Sequence, residues 1–247
     1  MDTRNLPQAK TKKNEITFIA NGENVTLTPE TVKNYLVSGD KDKVTMQEVV
    51  MFMNLCKFNG LNPWLKEAYL IKFGNEPATI VAGKESFTKK AEANPKFDGF
   101  EAGIIVLDNE TQELIYRNGS MKLPNETIVG GYAEVWRKDR GHSCREEVSF
   151  EEYAGRKKDG TLNRQWASKP ATMIRKVALV HALREAFPGT LGGMYSAEER
   201  GVEEPIDVEV TEVVDSTVSD STEDAFAGKE IDGQQHLDLG GGADEAK

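Results

Sequence analysis

Two segments of the chain concentrate side chains that could bind a phosphate backbone. The first is WRKDRGHSCR, residues 136–145, and the second is GRKKDGTLNRQWASKPATMIRK, residues 155–176, which carries a local net charge of +6. The cations in them that we predict to contact nucleic acid are Arg137, Lys138, Arg140, Arg156, Lys157, Lys158, Lys169, Arg175 and Lys176. Cations follow the phosphates of a nucleic acid strand, so both segments are candidates for binding one.

Trp166 lies within the second segment and could add a surface for base stacking. An aromatic side chain that stacks on a base contributes ~1–3 kcal/mol per base, and we interpret Trp166 as exposed for that purpose. The alternative interpretation is a solvated loop that leads into a helix, because a run of charges often has no other role. Both interpretations remain open on composition alone.

The helix predicted after Pro170 determines which of its cations can act together. At ~100° per residue, Lys176 and Arg184 lie roughly 80° apart and can share one surface. Arg175 and Arg184 fall on opposite sides of the same helix, so an ideal helix cannot present both to one groove.

Catalytic motifs are absent from the sequence, and we predict a protein that is not an enzyme. The run ATIVAGKES is the nearest approach to a phosphate-binding loop, but Ala78 replaces its first glycine and Glu85 its hydroxyl residue. His142 and Cys144 lack a second pair of zinc ligands, and His181 sits on an apolar helical pattern that suits a core histidine. We therefore expect no metal and no cofactor.

The elements that must position these residues are predicted to be paired short strands enclosed by helices. The strand pairs are residues 67–73 with 78–82, 100–108 with 113–119, and 128–140 with 144–150. The helices are predicted at residues 28–36, 45–58, 84–93 and 170–187. Strands in pairs do not alternate with helices as a parallel sheet requires, so the predicted fold class is α+β with antiparallel sheet.

A tryptophan, Trp64, lies on the turn GLNPWLKE between the second predicted helix and the first strand pair. It could either seal the end of the hydrophobic core or offer an exposed surface to a ligand. Because it lies between an amphipathic helix and a strand, we interpret it as a core residue that fixes the turn. Its neighbour Lys66 is then directed towards the ligand.

The charge of the chain divides at about residue 200. Residues 201–247 contain 14 acidic residues and two lysines, a net charge of −12, whereas residues 1–200 carry +2. We predict a flexible segment at residues 1–27 that could include a first strand, a DNA-binding domain at 28–200, and a disordered acidic tail at 201–247. Apolar runs of membrane-spanning length are absent, and Cys56 and Cys144 suit reduced thiols, so we expect a cytoplasmic protein with no membrane partner.

Several uncommon strings resemble one known family. GLNPWLKEAYLI, KFDGFEAGI, VWRKDRGH and QWASKPATMIRKVALVHALREAF occur in this order over about residues 28–200. They are similar to the phage Bet (Red-beta) recombinases of the wider RecT single-strand annealing group. The resemblance implies a protein that binds single-stranded DNA, anneals complementary strands without ATP and assembles as a ring or helical filament. It also implies that the annealed duplex is bound, that a phage exonuclease is a partner and that a host single-strand binding protein could be another.

The resemblance also implies particular DNA contacts. Lys66, Lys138, Arg175 and Arg184 match basic positions of the family, as does one residue of the Arg156–Lys158 group. A further basic position appears here as Val177, so the protein either lacks that contact or uses Lys176. The tail is too short and polar for the helical C-terminal domain of Red-beta. The alternative function is that of a replication accessory protein that binds single-stranded DNA without annealing it.

Overall fold

In the computed structural model, which describes residues 15–202, paired strands and helices form the predicted α+β architecture. The strands are β1 Ile16–Ala20, β2 Glu23–Leu27, β3 Val37–Gly39, β4 Ala68–Lys72, β5 Thr79–Ala82, β6 Phe97–Asp108, β7 Leu114–Asn118, β8 Glu126–Arg137 and β9 Cys144–Ser149. The helices are α1 Pro29–Thr31, α2 Met46–Asn59, α3 Lys84–Glu92, α4 Phe150–Tyr153, α5 Arg164–Ser168, α6 Pro170–Ala186 and α7 Pro188–Leu191. A π-helical turn, Val32–Leu36, continues α1, and 3-10 turns occupy Lys41–Lys43, Pro63–Leu65 and Glu198–Arg200.

The strands form three sheets with the orders β1-β2, β3-β4-β5 and β7-β6-β8-β9. All three predicted antiparallel pairs are confirmed, namely β4 with β5, β6 with β7, and β8 with β9. The short strand β3 was not predicted, and it pairs with β4 in parallel. The sheets are therefore antiparallel with one parallel exception.

Helix α6 packs against the four-stranded sheet and forms the centre of the main hydrophobic core. Its residues Ile174, Val177 and Leu183 are fully buried. A Cβ atom at Gly131 of β8 would lie 2.7 Å from the carbonyl oxygen of Ile174, so the close approach of helix and sheet requires glycine there. The helix predicted at residues 170–187 thus packs directly against the sheet.

Two strands occupy residues 16–27, where we predicted a flexible segment with at most a first strand. Asn21 and Gly22 both take positive φ angles, of 52° and 84°, as a tight hairpin between β1 and β2 requires. Phe18 and Leu27 contribute to the main core. The ordered body therefore begins earlier than residue 28.

Helix α2 begins and ends as its sequence predicts. Glu48 donates its backbone N–H to Oγ1 of Thr45 at 3.2 Å, and Thr45 donates its own to the carboxylate of Glu48 at 2.8 Å. Gly60 ends the helix in the left-handed conformation. The predicted disorder of the first residues and of the acidic tail lies outside the described residues, apart from Gly201 and Val202. Within residues 15–202 no helix is both long and apolar enough to cross a membrane.

Candidate nucleic-acid interface

Helix α6 and its N-cap residue carry four of the predicted DNA-binding residues. With 17 residues it is about 25 Å long. Lys169 lies at its N-terminal end, Arg175 and Lys176 follow near its middle, and Arg184 lies in its last turn. The helix places these side chains, but it does not present them all to solvent.

Lys176 and Arg184 share one face of α6, as the helical geometry predicts. The Nζ atom of Lys176 lies 2.9 Å from Oε1 of Glu198, and the guanidinium of Arg184 pairs with Glu199. Both carboxylates are almost completely buried, and both belong to the short turn Glu198–Arg200. These two predicted phosphate ligands are therefore already neutralised within the protein.

Two carboxylates and three basic side chains meet in a cluster that we call the latch: Lys176, His181, Arg184, Glu198 and Glu199. Oε1 of Glu199 lies 3.0 Å from Nε2 of His181, and its Oε2 accepts the backbone N–H of Ser196 at 2.8 Å. Burial alone would raise the pKa of Glu199, but the hydrogen bonds with His181, Ser196 and Arg184 outweigh it and lower that pKa to about 2. The latch ties the chain after α7 to the surface of α6.

Arg175 points away from the latch and is half-buried. Its Nε atom donates to the carbonyl oxygen of Ala102 in β6 at 3.0 Å. This agrees with the prediction that Arg175 and Arg184 lie on opposite sides of the helix. Arg175 thus also has a partner within the protein.

Arg137 binds the C-terminal end of α6. It donates to both carboxylate oxygens of Asp139 and to the carbonyl oxygen of Ala186, and its guanidinium lies 5.0 Å from the ring centre of Phe187. The hydrogen bonds from Arg137 and Lys96 hold the pKa of Asp139 well below its usual range. Lys138 and Arg140, in contrast, are exposed on the turn between β8 and β9.

The basic loop after α4 has one paired arginine and two exposed lysines. Arg156 donates to both oxygens of Glu151 at 2.8 Å and to the carbonyl oxygen of Gly160 at 3.0 Å. These bonds fix the base of the loop and leave Lys157 and Lys158 exposed near its tip. Lys169, between α5 and α6, is exposed as well.

The prediction that Trp166 is an exposed stacking surface is wrong. The residue belongs to the short helix α5, is only 2% exposed and packs edge-on against Phe150 with the ring centres 5.5 Å apart. A Cβ atom at Gly155 would lie 3.0 Å from the indole nitrogen, so the chain passes directly over the ring. Trp166 is a core residue.

The interpretation of Trp64 as a core residue is also wrong. The residue is 46% exposed, and its ring lies 6.4 Å from that of Tyr35, measured between the ring centres. The two tryptophans therefore have the opposite of their predicted environments.

Lys66 is exposed and takes the left-handed conformation, with φ of 60°. A Cβ atom at Gly83 would lie 2.8 Å from its carbonyl oxygen, so the turn touches the end of β5. At that end Ala82 donates its N–H to the carbonyl oxygen of Tyr195 at 2.8 Å. The backbone of Lys66 therefore packs against the end of β5, which is hydrogen-bonded to the segment that precedes the turn Glu198–Arg200.

Tyr195 stacks with two arginines, one of which sequence analysis missed. The guanidinium carbon of Arg200 lies 4.0 Å from the centre of the tyrosine ring, and that of Arg184 lies 5.1 Å from it. Arg200 is exposed and could contact a phosphate. In the sequence it is a single cation next to two glutamates, and that pattern does not indicate a binding residue.

The structure therefore separates the candidate cations by environment. Half-buried cations with partners inside the protein are Arg137, Arg175, Lys176 and Arg184. Exposed cations are Lys66, Lys138, Arg140, Arg156, Lys157, Lys158, Lys169 and Arg200. Lys176 and Arg184 pair with buried carboxylates, and Arg137 and Arg175 donate to carbonyl oxygens inside the protein. The exposed group is directly accessible to an anionic strand. In residues 15–202 no cluster of three or more His, Cys, Asp or Glu side chains is placed to hold a metal ion.

Comparison with known proteins identifies relatives of this chain. A sequence profile described as the RecT family matches residues 23–213. An uncharacterized protein, UU154, of Ureaplasma parvum serovar 3 is 28% identical over 166 residues, which cover 66% of this chain and 66% of that protein. The recombination protein bet of Escherichia phage lambda is 27% identical over 149 residues, which cover 57% of this chain and 46% of that protein. The chain thus spans about two thirds and about half of the lengths of these two relatives.

Proposed function

Because the chain belongs to the RecT family, we propose that it binds single-stranded DNA and anneals complementary strands without ATP, as an oligomer in phage homologous recombination. The observation that carries the proposal is the family match over residues 23–213, which spans most of the chain and nearly all of the described body. The similarity to a phage recombination protein supports the same process.

In this mechanism the exposed cations hold the phosphate backbone of one strand. Phosphate contacts fix the position of a strand but carry no sequence information, so its bases remain available for pairing. Watson–Crick pairing with a second strand then supplies the specificity. The protein contributes by holding strands extended and close together, and it does so without a chemical step of its own.

The exposed side chains of the interface are suited to this task. Lys157 and Lys158 lie on a loop whose base is fixed by the bonds of Arg156 to Glu151 and Gly160. Lys138 and Arg140 lie on a turn fixed by Arg137 and Asp139. Rigid turns with exposed cations lose little conformational entropy when they bind a backbone.

The partners follow from the same proposal. A phage exonuclease would supply single strands, further copies of this chain would extend the binding surface, and a host single-strand binding protein would be the competitor or the recruiter on DNA. We place this activity in the cytoplasm of the host bacterial cell. We expect no cofactor and no membrane partner.

An annealing assay tests the proposal. Two complementary labelled oligonucleotides are mixed with the protein in the absence of ATP, and duplex formation is followed over time. We expect annealing faster than in the protein-free control. Binding without faster annealing would favour a non-annealing single-strand binding protein, and oligonucleotides shortened in the presence of magnesium would indicate a nuclease.

A matched pair of variants shows whether the exposed cations act in that assay. Lys157→Ala combined with Lys158→Ala removes two exposed charges from the loop and should slow annealing. Lys41→Ala combined with Lys43→Ala removes two charges from the 3-10 turn before α2, outside the predicted interface, and should leave the rate near that of the wild type. Equal slowing in both double variants would contradict the assignment of the interface.

A further inference from the structure

The turn between α2 and β4 buries polar side chains and exposes apolar ones. Glu67 is only 3% exposed and Asn62 is buried, whereas Trp64 is 46% and Leu65 is 56% exposed. Buried carboxylates are rare because they must be fully hydrogen-bonded, and an exposed tryptophan forgoes the burial of a large apolar surface. This arrangement is the reverse of what stability alone favours, so it points to a ligand of the exposed rings.

The buried polar groups hold the turn in one conformation. Glu67 accepts the backbone N–H of Asn62 at 2.8 Å, the side-chain amide of Asn21 at 2.8 Å and the ammonium of Lys89 at 3.0 Å. Burial would raise the pKa of Glu67, but these hydrogen bonds outweigh it and keep that pKa below its usual value. Asn62 in turn accepts the backbone N–H of Trp64 at 3.0 Å. The indole is therefore attached to a rigid backbone.

A second ring extends the exposed surface. Tyr35, from the π-helical turn Val32–Leu36, is 72% exposed, and its ring lies 6.4 Å from that of Trp64 with 46° between the planes. Both rings combine an apolar face with a polar edge, and both have few rotatable bonds to be ordered on binding. Lys66, two residues after Trp64, adds an exposed cation on the same turn.

We propose that Tyr35 and Trp64 form a stacking platform for the bases of single-stranded DNA, with Lys66 binding an adjacent phosphate. Flat rings next to a cation match the chemistry of a nucleotide, in which a base and a phosphate are separated by one sugar. The inference rests on the proposed function and extends it, because stacking on the protein would fix the orientation of a base before it pairs.

A comparison of two DNA ligands separates stacking from backbone binding. The affinities of wild type, Trp64→Ala, Trp64→Phe and Tyr35→Ala are measured for a thymidine oligonucleotide and for an abasic oligonucleotide of the same length. Trp64→Ala loses the stacking of one base, so it should bind the thymidine strand about five- to 150-fold more weakly than the wild type. The abasic strand should be bound equally by wild type and Trp64→Ala, and Trp64→Phe should recover part of the lost affinity.

Phe58→Ala is the matched control, since Phe58 is an exposed aromatic residue on α2 outside the platform. It should bind both strands like the wild type, and thermal unfolding should show that every variant is folded. An equal loss of affinity by Trp64→Ala on both strands would overturn the platform. If Trp64→Ala bound both strands like the wild type but formed a smaller oligomer, the platform would also be overturned. The rings would then belong to a contact between subunits. If the wild type bound neither strand, the proposed function itself would fail.

Discussion

Glu199 of the latch provides a quantitative test of how the half-buried cations are used. Its carboxylate is almost fully buried between His181 and Arg184 of α6, and it also accepts the N–H of Ser196. If this arrangement stabilises the fold, replacing the charge should lower the free energy of unfolding. Glu199→Gln makes that change while keeping the shape of the side chain.

The magnitude follows from the pKa. The pKa of Glu199 is lowered from 4.5 to about 2, and each unit corresponds to ~1.4 kcal/mol, so the charged form contributes about 3 kcal/mol. Because the folded-state pKa is the lower one, this stabilisation is fully present above pH 4.5 and is lost as the pH falls from 4.5 towards 2. At neutral pH Glu199→Gln should therefore be about 3 kcal/mol less stable than the wild type.

Urea unfolding at a series of pH values measures this difference. The gap between wild type and Glu199→Gln should be largest at neutral pH and should shrink below pH 4.5, because there Glu199 takes up a proton in the unfolded chain before it does so in the folded protein. The control is Glu151→Gln, because Glu151 is exposed and its pair with Arg156 should contribute less than ~1 kcal/mol. A variant as stable as the wild type at neutral pH, or a gap that does not change with pH, would refute the reasoning.

Three further predictions concern the DNA-binding surface and the core. Lys66→Ala should reduce the dependence of log affinity on log salt by ~0.7 for single-stranded DNA, and an unchanged salt dependence in a binding titration would mean that Lys66 contacts no phosphate. Trp166→Ala should cost ~3–5 kcal/mol in urea unfolding because it empties a core site, and a loss of DNA affinity at full stability would contradict its burial. Deletion of residues 203–247, which removes all 14 acidic residues after residue 200, should tighten DNA binding at low salt and have little effect at high salt. Equal affinities at low salt would show that the acidic residues do not compete with DNA.

Local sequence signals predicted the elements well wherever one interaction dominates. The capping box of Thr45 and Glu48 and the glycine stop at Gly60 define α2 on their own. Asn21-Gly22 is an equally strong hairpin signal, although the composition of the N-terminal segment by itself predicts a flexible chain. Strand β3 has only three residues and depends on its pairing with β4, so no local pattern marks it.

The environments of the site residues depended on contacts that are distant in sequence. Trp166 follows a basic, polar loop, and nothing nearby indicates that Phe150 and Gly155 enclose it. Lys176 meets its carboxylate partner 22 residues further along the chain. Sequence similarity can place a cation on the correct helix, but only the fold shows whether a buried glutamate already occupies it.

The same reasoning changes what substitution of Arg184 would report. From the sequence, Arg184→Ala is expected to weaken DNA binding and to leave the fold intact. In the structure the substitution would leave Glu199 buried beside one partner fewer, and removing one member of a buried pair costs ~3–5 kcal/mol. If Arg184→Ala binds DNA more weakly, its stability must therefore be measured as well, to show whether the variant is still folded.

The central claim is that the exposed cations, rather than those in the latch, hold the DNA. Lysine acetylation followed by mass spectrometry, with and without single-stranded DNA, tests it most directly. We predict that DNA slows acetylation of Lys66, Lys138, Lys157, Lys158 and Lys169. Lys176, which is half-buried against Glu198, should react slowly in both conditions, and Lys41 should react equally fast in both. Unchanged rates for the five exposed lysines, or protection of Lys41 instead, would contradict the account.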